Sequence, residues 1–283
     1  APATGLRRSN QTVILPDMAA GCSMADMAAI EQVEQCWDAL GRVVPVEETV
    51  MPAVYVNSAA ILKAFCGEHG GLTCTSSNAR KVIEWSWARR EKILFFPDEH
   101  LGRNTANKMG IPREQMIVWD PFMPRGGNSV EAIQRAKLIL WKGHCSVHQM
   151  FQPSHVDYFR KQYPDVKVIV HPECHEDVVN KADLVGSTEY IIRTITAAPA
   201  GTTWAVGTEL NLVNRLKHEQ TDKKVFFLSS TVCQCATMYR IDAPHLCWAL
   251  ENLADGHVVN RIIVPDDEKQ WAKVALDRMM ALS

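Results

Sequence analysis

The chain has no apolar run approaching the ~18 residues that a membrane span requires, although 47% of its 283 residues are hydrophobic. It has no run of Lys and Arg either. Its 30 basic and 32 acidic side chains leave a net charge of −2, which argues against a nucleic-acid-binding face. The densest cationic cluster, Arg89-Arg90 with Lys92, reads as a solvated helix face. Ala1 to Asn10 is polar, contains Arg7-Arg8 and lacks the apolar core of a secretory signal. The nine cysteines include no C-x2-C pair, so neither a local zinc motif nor a ferredoxin-type run is present. Their odd number and scatter argue for thiols or metal ligands rather than a disulfide framework.

What remains is a chain with enough apolar content for a large core and two or three domains. Short apolar runs alternate with helical periodicity. Val13-Ile14-Leu15, Ala53-Val54-Tyr55, Leu72-Thr73-Cys74, Lys92 to Phe96, Met116 to Trp119, Leu138 to Trp141, Val168-Ile169-Val170, Leu184-Val185, Trp204-Ala205-Val206 and Lys224 to Leu228 read as strands. Helical spacing covers Met24 to Leu40, Ala59 to Phe65, a stretch ending at Trp87, Val130 to Lys137, a stretch through Gln162, Asn211 to His218 and Pro244 to Ala254. This alternation predicts an α/β fold with parallel sheets and right-handed crossovers. Trp248 and Leu250 are expected to pack on the body, and Cys36, Cys66 and Cys247 to be core.

Side chains with chemistry fall just after strands, where parallel sheets present their sites. Val168-Ile169-Val170 ends in His171-Pro172-Glu173-Cys174. Alternation points His171 and Glu173 to one side, the first as a donor to anionic oxygen and the second as a general base. An earlier stretch repeats the plan. Tyr55-Val56-Asn57 is followed by a helix, a short strand and Thr75-Ser76-Ser77; His171-Pro172-Glu173 is followed by a helix, Leu184-Val185 and Gly186-Ser187-Thr188. Ser76 and Thr188 stand where a helix start would grip an anion, or would simply be N-capped. Cys22 and Cys235 lie equally far past the strand-end leucines Leu15 and Leu228, and Cys145 and Cys235 are about 90 residues apart, the period of a repeated domain. If such domains turn their strand ends inward around a pseudo-threefold, Cys22, Cys145 and Cys235 meet at one metal centre. Three thiolates suit an iron–sulfur cluster with an open fourth position. Cys74 and Cys174 read as small packing residues, Cys233 as a bystander or a redox partner of Cys235, and His148 as lying near the centre. Asp98, Glu99, His100 and Arg103 read as structural.

In this order, Leu15-Pro16-Asp17 with Gly21-Cys22-Ser23, Tyr55-Val56-Asn57, Thr75-Ser76-Ser77-Asn78, Gly143-His144-Cys145-Ser146-Val147-His148, His171-Pro172-Glu173-Cys174, Gly186-Ser187-Thr188, Gly207-Thr208-Glu209 and Cys235-Ala236-Thr237-Met238 resemble the quinolinate synthase A family of NAD biosynthesis, in its cyanobacterial and plant-like form. The resemblance implies three similar α/β domains around a pseudo-threefold: 1–46 with 240–283, 47–140, and 141–239, the first incomplete. It implies a 4Fe–4S cluster on Cys22, Cys145 and Cys235. It also implies condensation of iminoaspartate with dihydroxyacetone phosphate to quinolinate, phosphate and water. Tyr55, Val56, Asn57, Ser76, His171, Pro172, Glu173 and Thr188 are then the substrate-binding positions, with Glu173, His171 and Tyr55 catalytic. An aspartate-oxidising enzyme is the expected supplier of iminoaspartate. Nucleic acid and membrane are not expected partners, and the setting is a bacterial cytoplasm or a plastid. The family's N-terminal His-Tyr-Tyr segment has no counterpart before Cys22. Two other readings stay open: an inactive fragment or small-ligand- or zinc-binding α/β protein, and another iron–sulfur lyase or dehydratase.

Overall fold

The computed structural model describes residues 11–231 and 234–282. The first sheet is built from β1 (Val50–Tyr55), β2 (Leu72–Cys74), β3 (Lys92–Phe96), β4 (Met116–Trp119) and β5 (Leu138–Trp141), in the order β2-β1-β3-β5-β4. The second is built from β6 (Lys167–Val170), β7 (Leu184–Val185), β8 (Thr203–Gly207) and β9 (Lys224–Phe227), in the order β7-β6-β8-β9. Every strand pair in both sheets is parallel. The two orders coincide over their first four places, and β4 is an added edge strand in the first sheet.

The helices are α1 (Ile30–Gly41), α2 (Val46–Thr49), α3 (Ala60–Glu68), α4 (Ala79–Trp87), α5 (Glu99–Lys108), α6 (Val130–Arg135), α7 (Ser146–Gln149), α8 (Pro153–Gln162), α9 (Glu176–Lys181), α10 (Thr188–Ala197), α11 (Leu210–Glu219), α12 (Ala243–Ala254) and α13 (Asp266–Met280). Helices cover both faces of each sheet, which is why the strands read as unbroken apolar runs. In the first sheet Val50, Val54, Leu94, Phe96, Ile139 and Trp141 face α1, α3 and α6, while Met51, Ala53, Ile93, Phe95 and Leu140 face α4 and α5. Two equivalent layers enclose the second sheet.

Three expectations are corrected. Val13-Ile14-Leu15 is not a buried strand: Ile14 makes one isolated antiparallel bridge to Arg261, because the proline that follows ends the run. The helix expected over Met24 to Leu40 is a short 3-10 turn, Ala25–Met27, followed by α1 from Ile30, with extended backbone at Ala28 and Ala29 between them. Trp248 and Leu250 are exposed, and so is Cys247, whereas Cys36 and Cys66 are core. The segments before and after the two units add no sheet among the described residues. Instead α1 and α13 pack on the first unit. α13 lies so close along α3 that a Cβ on Gly67 would fall 2.0 Å from the Trp271 carbonyl, and Arg278 donates to the carbonyls of Gly67 and Gly71 at 3.0 and 2.7 Å. Among the described residues no helix is long and apolar enough to cross a membrane.

Candidate active site

The strand ends of the two sheets border a cavity of about 350 Å³, lined by Cys22, Tyr55, Asn57, Cys145, His148, His171, Glu173, Thr188, Thr208, Glu209 and Cys235 among others. Each arrives by a short, specific path. Tyr55 is the last residue of β1 and Asn57 lies in the turn beyond it. His171 directly follows β6, and its N–H donates to the Gly207 carbonyl at 2.9 Å, as a further rung of the β6–β8 ladder. Cys145 leaves β5 through Gly143, which approaches Pro97 so closely that a Cβ there would sit 2.0 Å from the Pro97 carbonyl. The Gly143 carbonyl accepts from Glu99 N–H at 2.9 Å. Cys22 reaches the cavity because the turn after it is anchored on β5: Trp141 Nε1 donates to the Met27 carbonyl at 2.8 Å, and His144 N–H to Met27 Sδ at 3.3 Å. Cys235 follows β9, and Arg240 of the same loop pairs with Asp17 at 2.9 Å.

Glu173 is the electrostatic centre. It is buried, as are Tyr55, His148 and His171. His148 Nδ1 lies 3.0 Å from Glu173 Oε2, an ionic contact whose angle falls short of a hydrogen bond. Its Nε2 lies 3.3 Å from Thr208 Oγ1. The His148 and His171 rings stack at 4.7 Å. Burial by itself would lower His148, but the Cys145 thiol and the Glu173 carboxylate beside it outweigh burial and push it up to about 10. Burial opposes charge on Glu173 as well, yet His171, His148 and the Tyr55 hydroxyl hold its carboxyl down at about 2. Of the two rings, His148 carries the charge. His171 Nδ1 accepts the Glu173 N–H at 3.3 Å, which puts the ring hydrogen on Nε2, and burial, against the pull of Glu173, holds His171 down at about 4. The resting site is therefore an imidazolium–carboxylate pair beside a neutral imidazole donor. Burial and Glu173 push the Tyr55 phenol well up, so it stays protonated, and it hydrogen-bonds the carboxylate.

Asp98 completes the charge pattern. Its Oδ1 caps α5 by accepting from Leu101 N–H, while Oδ2 is buried without a partner, and burial and the nearby Glu173 hold its carboxyl well up.

The three cysteines at the cavity are half-buried free thiols, whereas Cys36, Cys66, Cys74 and Cys174 are fully enclosed. Burial raises the Cys22 thiol, the Ala25 and Met24 N–H groups work against that, and Cys145 and Glu173 add to it. The N–H groups of the turn after Cys22 favour its thiolate, but burial is the larger effect. Cys145 and Glu173 thus disfavour ionisation of Cys22, and a bound cation relieves that. Cys145, His148 and Glu173 also place ligand atoms within 4.8 Å of one another, a set able to hold a metal ion. Cys233 lies outside the described residues.

Not every candidate reaches the cavity. Ser76 and Pro172 border a separate cavity of about 160 Å³ with Asn104, Lys108 and Gly186, although Ser76 still hydrogen-bonds Tyr55. Ser76 does not start a helix; α4 begins at Ala79, and Asn78 Oδ1 accepts instead from Thr75 N–H at 2.7 Å. Val56 pairs through its backbone with Cys74 and packs in the core layer. Thr188 opens α10, with Ser187 as its cap. Thr208 and Glu209 line the cavity but were not read as site residues; their position just past β8 was the available signal.

Fold and site together define an α/β enzyme with a thiol-lined, metal-capable cavity at the strand ends of two related sheets. A family model described as Quinolinate synthetase A protein matches residues 3–281. The chain is 60% identical over 271 residues to a quinolinate synthase of Rhodopirellula baltica, covering 95% of this chain and 69% of that protein. It is 58% identical to one from Acidobacterium capsulatum, covering 98% and 75%, and 55% identical to one from Herpetosiphon aurantiacus, again covering 98% and 75%. The chain belongs to the quinolinate synthase family.

Proposed function

We propose that this chain condenses iminoaspartate with dihydroxyacetone phosphate, releasing quinolinate, inorganic phosphate and two molecules of water. That stoichiometry balances the atoms without net oxidation or reduction. The observation that carries the reading is Glu173, a buried carboxylate held ionised between His148, His171 and Tyr55 in a cavity that three half-buried thiols share. Glu173 and His148 form a pair able to take a proton from a substrate carbon and return it to a leaving oxygen. Tyr55 and neutral His171 donate to substrate oxygens, and Asn57 orients them. Thr188, at the start of α10, suits a carboxylate or phosphate. Burial of these groups excludes bulk water from the condensation.

The donor set fits an iron–sulfur cluster: Cys22, Cys145 and Cys235 would hold it. Bound there, a 4Fe–4S cluster with an open iron supplies Lewis-acid chemistry toward a substrate hydroxyl or carboxylate. A second reading has its own observation. Cys145, His148 and Glu173 suit one zinc ion without sulfide. Metal and sulfide analysis after anaerobic reconstitution separates the two, with iron and sulfide in equal amounts expected; zinc alone favours the second.

The proposal extends to a three-domain division, with residues 1–46 and 240–283 in the first domain, to a cytoplasmic setting, and to supply of iminoaspartate by an aspartate-oxidising enzyme. The test of function is formation of quinolinate from the two substrates by the anaerobically reconstituted chain. Cluster-loaded protein that forms none would reject it.

A further inference from the structure

Glu173 sits in a loop of one sheet, yet much of what holds that loop comes from the other. Asn104, in the middle of α5 and 1% exposed, donates from its single Nδ2 to the carbonyls of Pro172 and Cys174, both at 2.8 Å. An amide group has two hydrogens, one for each carbonyl. The peptide units around Glu173 can then be accounted for in turn. The 172–173 unit is held at its carbonyl by Asn104 and at its N–H by His171 Nδ1. The 173–174 unit is held at its N–H, which donates to the His171 carbonyl at 3.0 Å. The 174–175 unit is held at its carbonyl by Asn104. Together these fix the backbone that aims the Glu173 side chain at His148 and Tyr55.

Other contacts along the same seam differ in kind. Arg113 reaches Glu176 at 2.6 Å and Asn107 reaches it at 3.4 Å, both in exposed surroundings, and Lys108 donates to the Val185 carbonyl at 3.2 Å. These join the units but do not touch the peptides beside Glu173.

We propose that Asn104 is a positioning residue for catalysis: by clamping the Pro172 and Cys174 carbonyls it sets the direction of Glu173, so that the first α/β unit aims the proton-handling carboxylate of the second. The inference rests on the reading of Glu173 as the proton-handling group in quinolinate formation. Misplacing a reacting group by about 1 Å costs about 100-fold in rate. Asn104→Leu keeps the volume and removes both donations, so kcat falls about 10- to 100-fold with KM for both substrates within about 3-fold.

The experiment is a cycle of Asn104→Leu, Glu173→Gln and the double variant in the cluster-loaded full chain, with Arg113→Ala as the seam control. Asn104→Ser, too short to reach both carbonyls, reads the same comparison should the leucine variant fail to fold. If Asn104 acts through Glu173, the double variant is no slower than Glu173→Gln alone, and Arg113→Ala keeps its kcat. Losses that multiply in the double variant overturn the proposal while leaving the proposed function standing. So does an Arg113→Ala loss equal to that of Asn104→Leu. Absence of quinolinate from the loaded, unsubstituted chain overturns the functional reading and this inference with it.

Discussion

The turns after β1 and β6 occupy the same place in two sheets of matching strand order, yet they carry opposite chemistry. The β1 turn brings neutral donors, Tyr55 and Asn57, and is pinned from beneath by a cation: Lys63, fully enclosed, donates to the Ser58 carbonyl at 2.6 Å and to Ser58 Oγ at 3.0 Å. The β6 turn brings the charged and basic groups, Glu173 and His171, and is pinned by a neutral amide, Asn104, from the neighbouring unit. The β3 and β8 turns differ in the same sense. Asp98 is buried with its carboxyl held well up, while Glu209 is half-buried and caps α11 through the N–H groups of Asn211 and Leu212. The repeated fold thus supplies equivalent positions, and the exchange of a few residues gives one copy a wall of neutral donors and the other a wall of charged and basic groups.

The largest expected effect concerns the thiols that both copies share. Cys145→Ser removes bound iron and sulfide altogether, whereas Cys174→Ser, its fully enclosed neighbour in the other turn, leaves them in place; equal loss in both would erase the distinction between half-buried and enclosed cysteines. Next comes the charged wall. Glu173→Gln lowers kcat by about 100- to 10,000-fold with the circular dichroism spectrum unchanged. The neutral wall is expected to matter less: Tyr55→Phe loses one hydrogen bond to a charged group and lowers kcat about 10-fold. A drop matching that of Glu173→Gln would make Tyr55 a reacting group and break the comparison.

The smallest effect is on stability, through Lys63. Burial, against a weak opposing pull from Cys66, holds its ammonium down at about 8, from an ordinary 10.5. The folded chain therefore gives up this proton before the unfolded chain does. Between pH 8 and 10.5 the unfolded state binds more protons, so stability rises with pH across that window. The full excursion is worth about 3 kcal/mol. Urea unfolding at a series of pH values detects it, and Lys63→Met is expected to flatten the slope.

The strands were legible because burial on both faces leaves unbroken apolar runs such as Ile93 to Phe96, bounded by Pro97 and Asp98. The repeat was legible because polar residues interrupt those runs at matching strand ends. α13 was hard to read as part of the core: Ala272, Ala275, Leu276 and Met279 recur at helical spacing and are buried, but two of the four are alanines and the first turn holds Asp266, Asp267 and Glu268, so the apolar stripe is narrow. Cys247, Trp248 and Leu250 misled in the opposite direction, since helical periodicity shows a face but not whether anything covers it. In the site, Tyr55, Asn57, His171, Glu173, Thr188, Cys145 and Cys235 could be read from position after a strand; Cys22 was placed by a strand before it that the fold does not form. The charge on His148 and the raised Asp98 carboxyl could not, because both arise from groups that only packing brings beside Glu173. Asn104 gave no signal at all. It is an asparagine in mid-helix whose hydrogen bonds reach a loop far away in sequence.

The most direct test of the account is a single assay under strict anaerobic conditions: iminoaspartate and dihydroxyacetone phosphate supplied to the reconstituted chain and to its Glu173→Gln variant at equal iron and sulfide content. The account predicts quinolinate and phosphate released together by the first and almost none by the second. Equal product from both would contradict the assignment of Glu173 as the group that moves the protons.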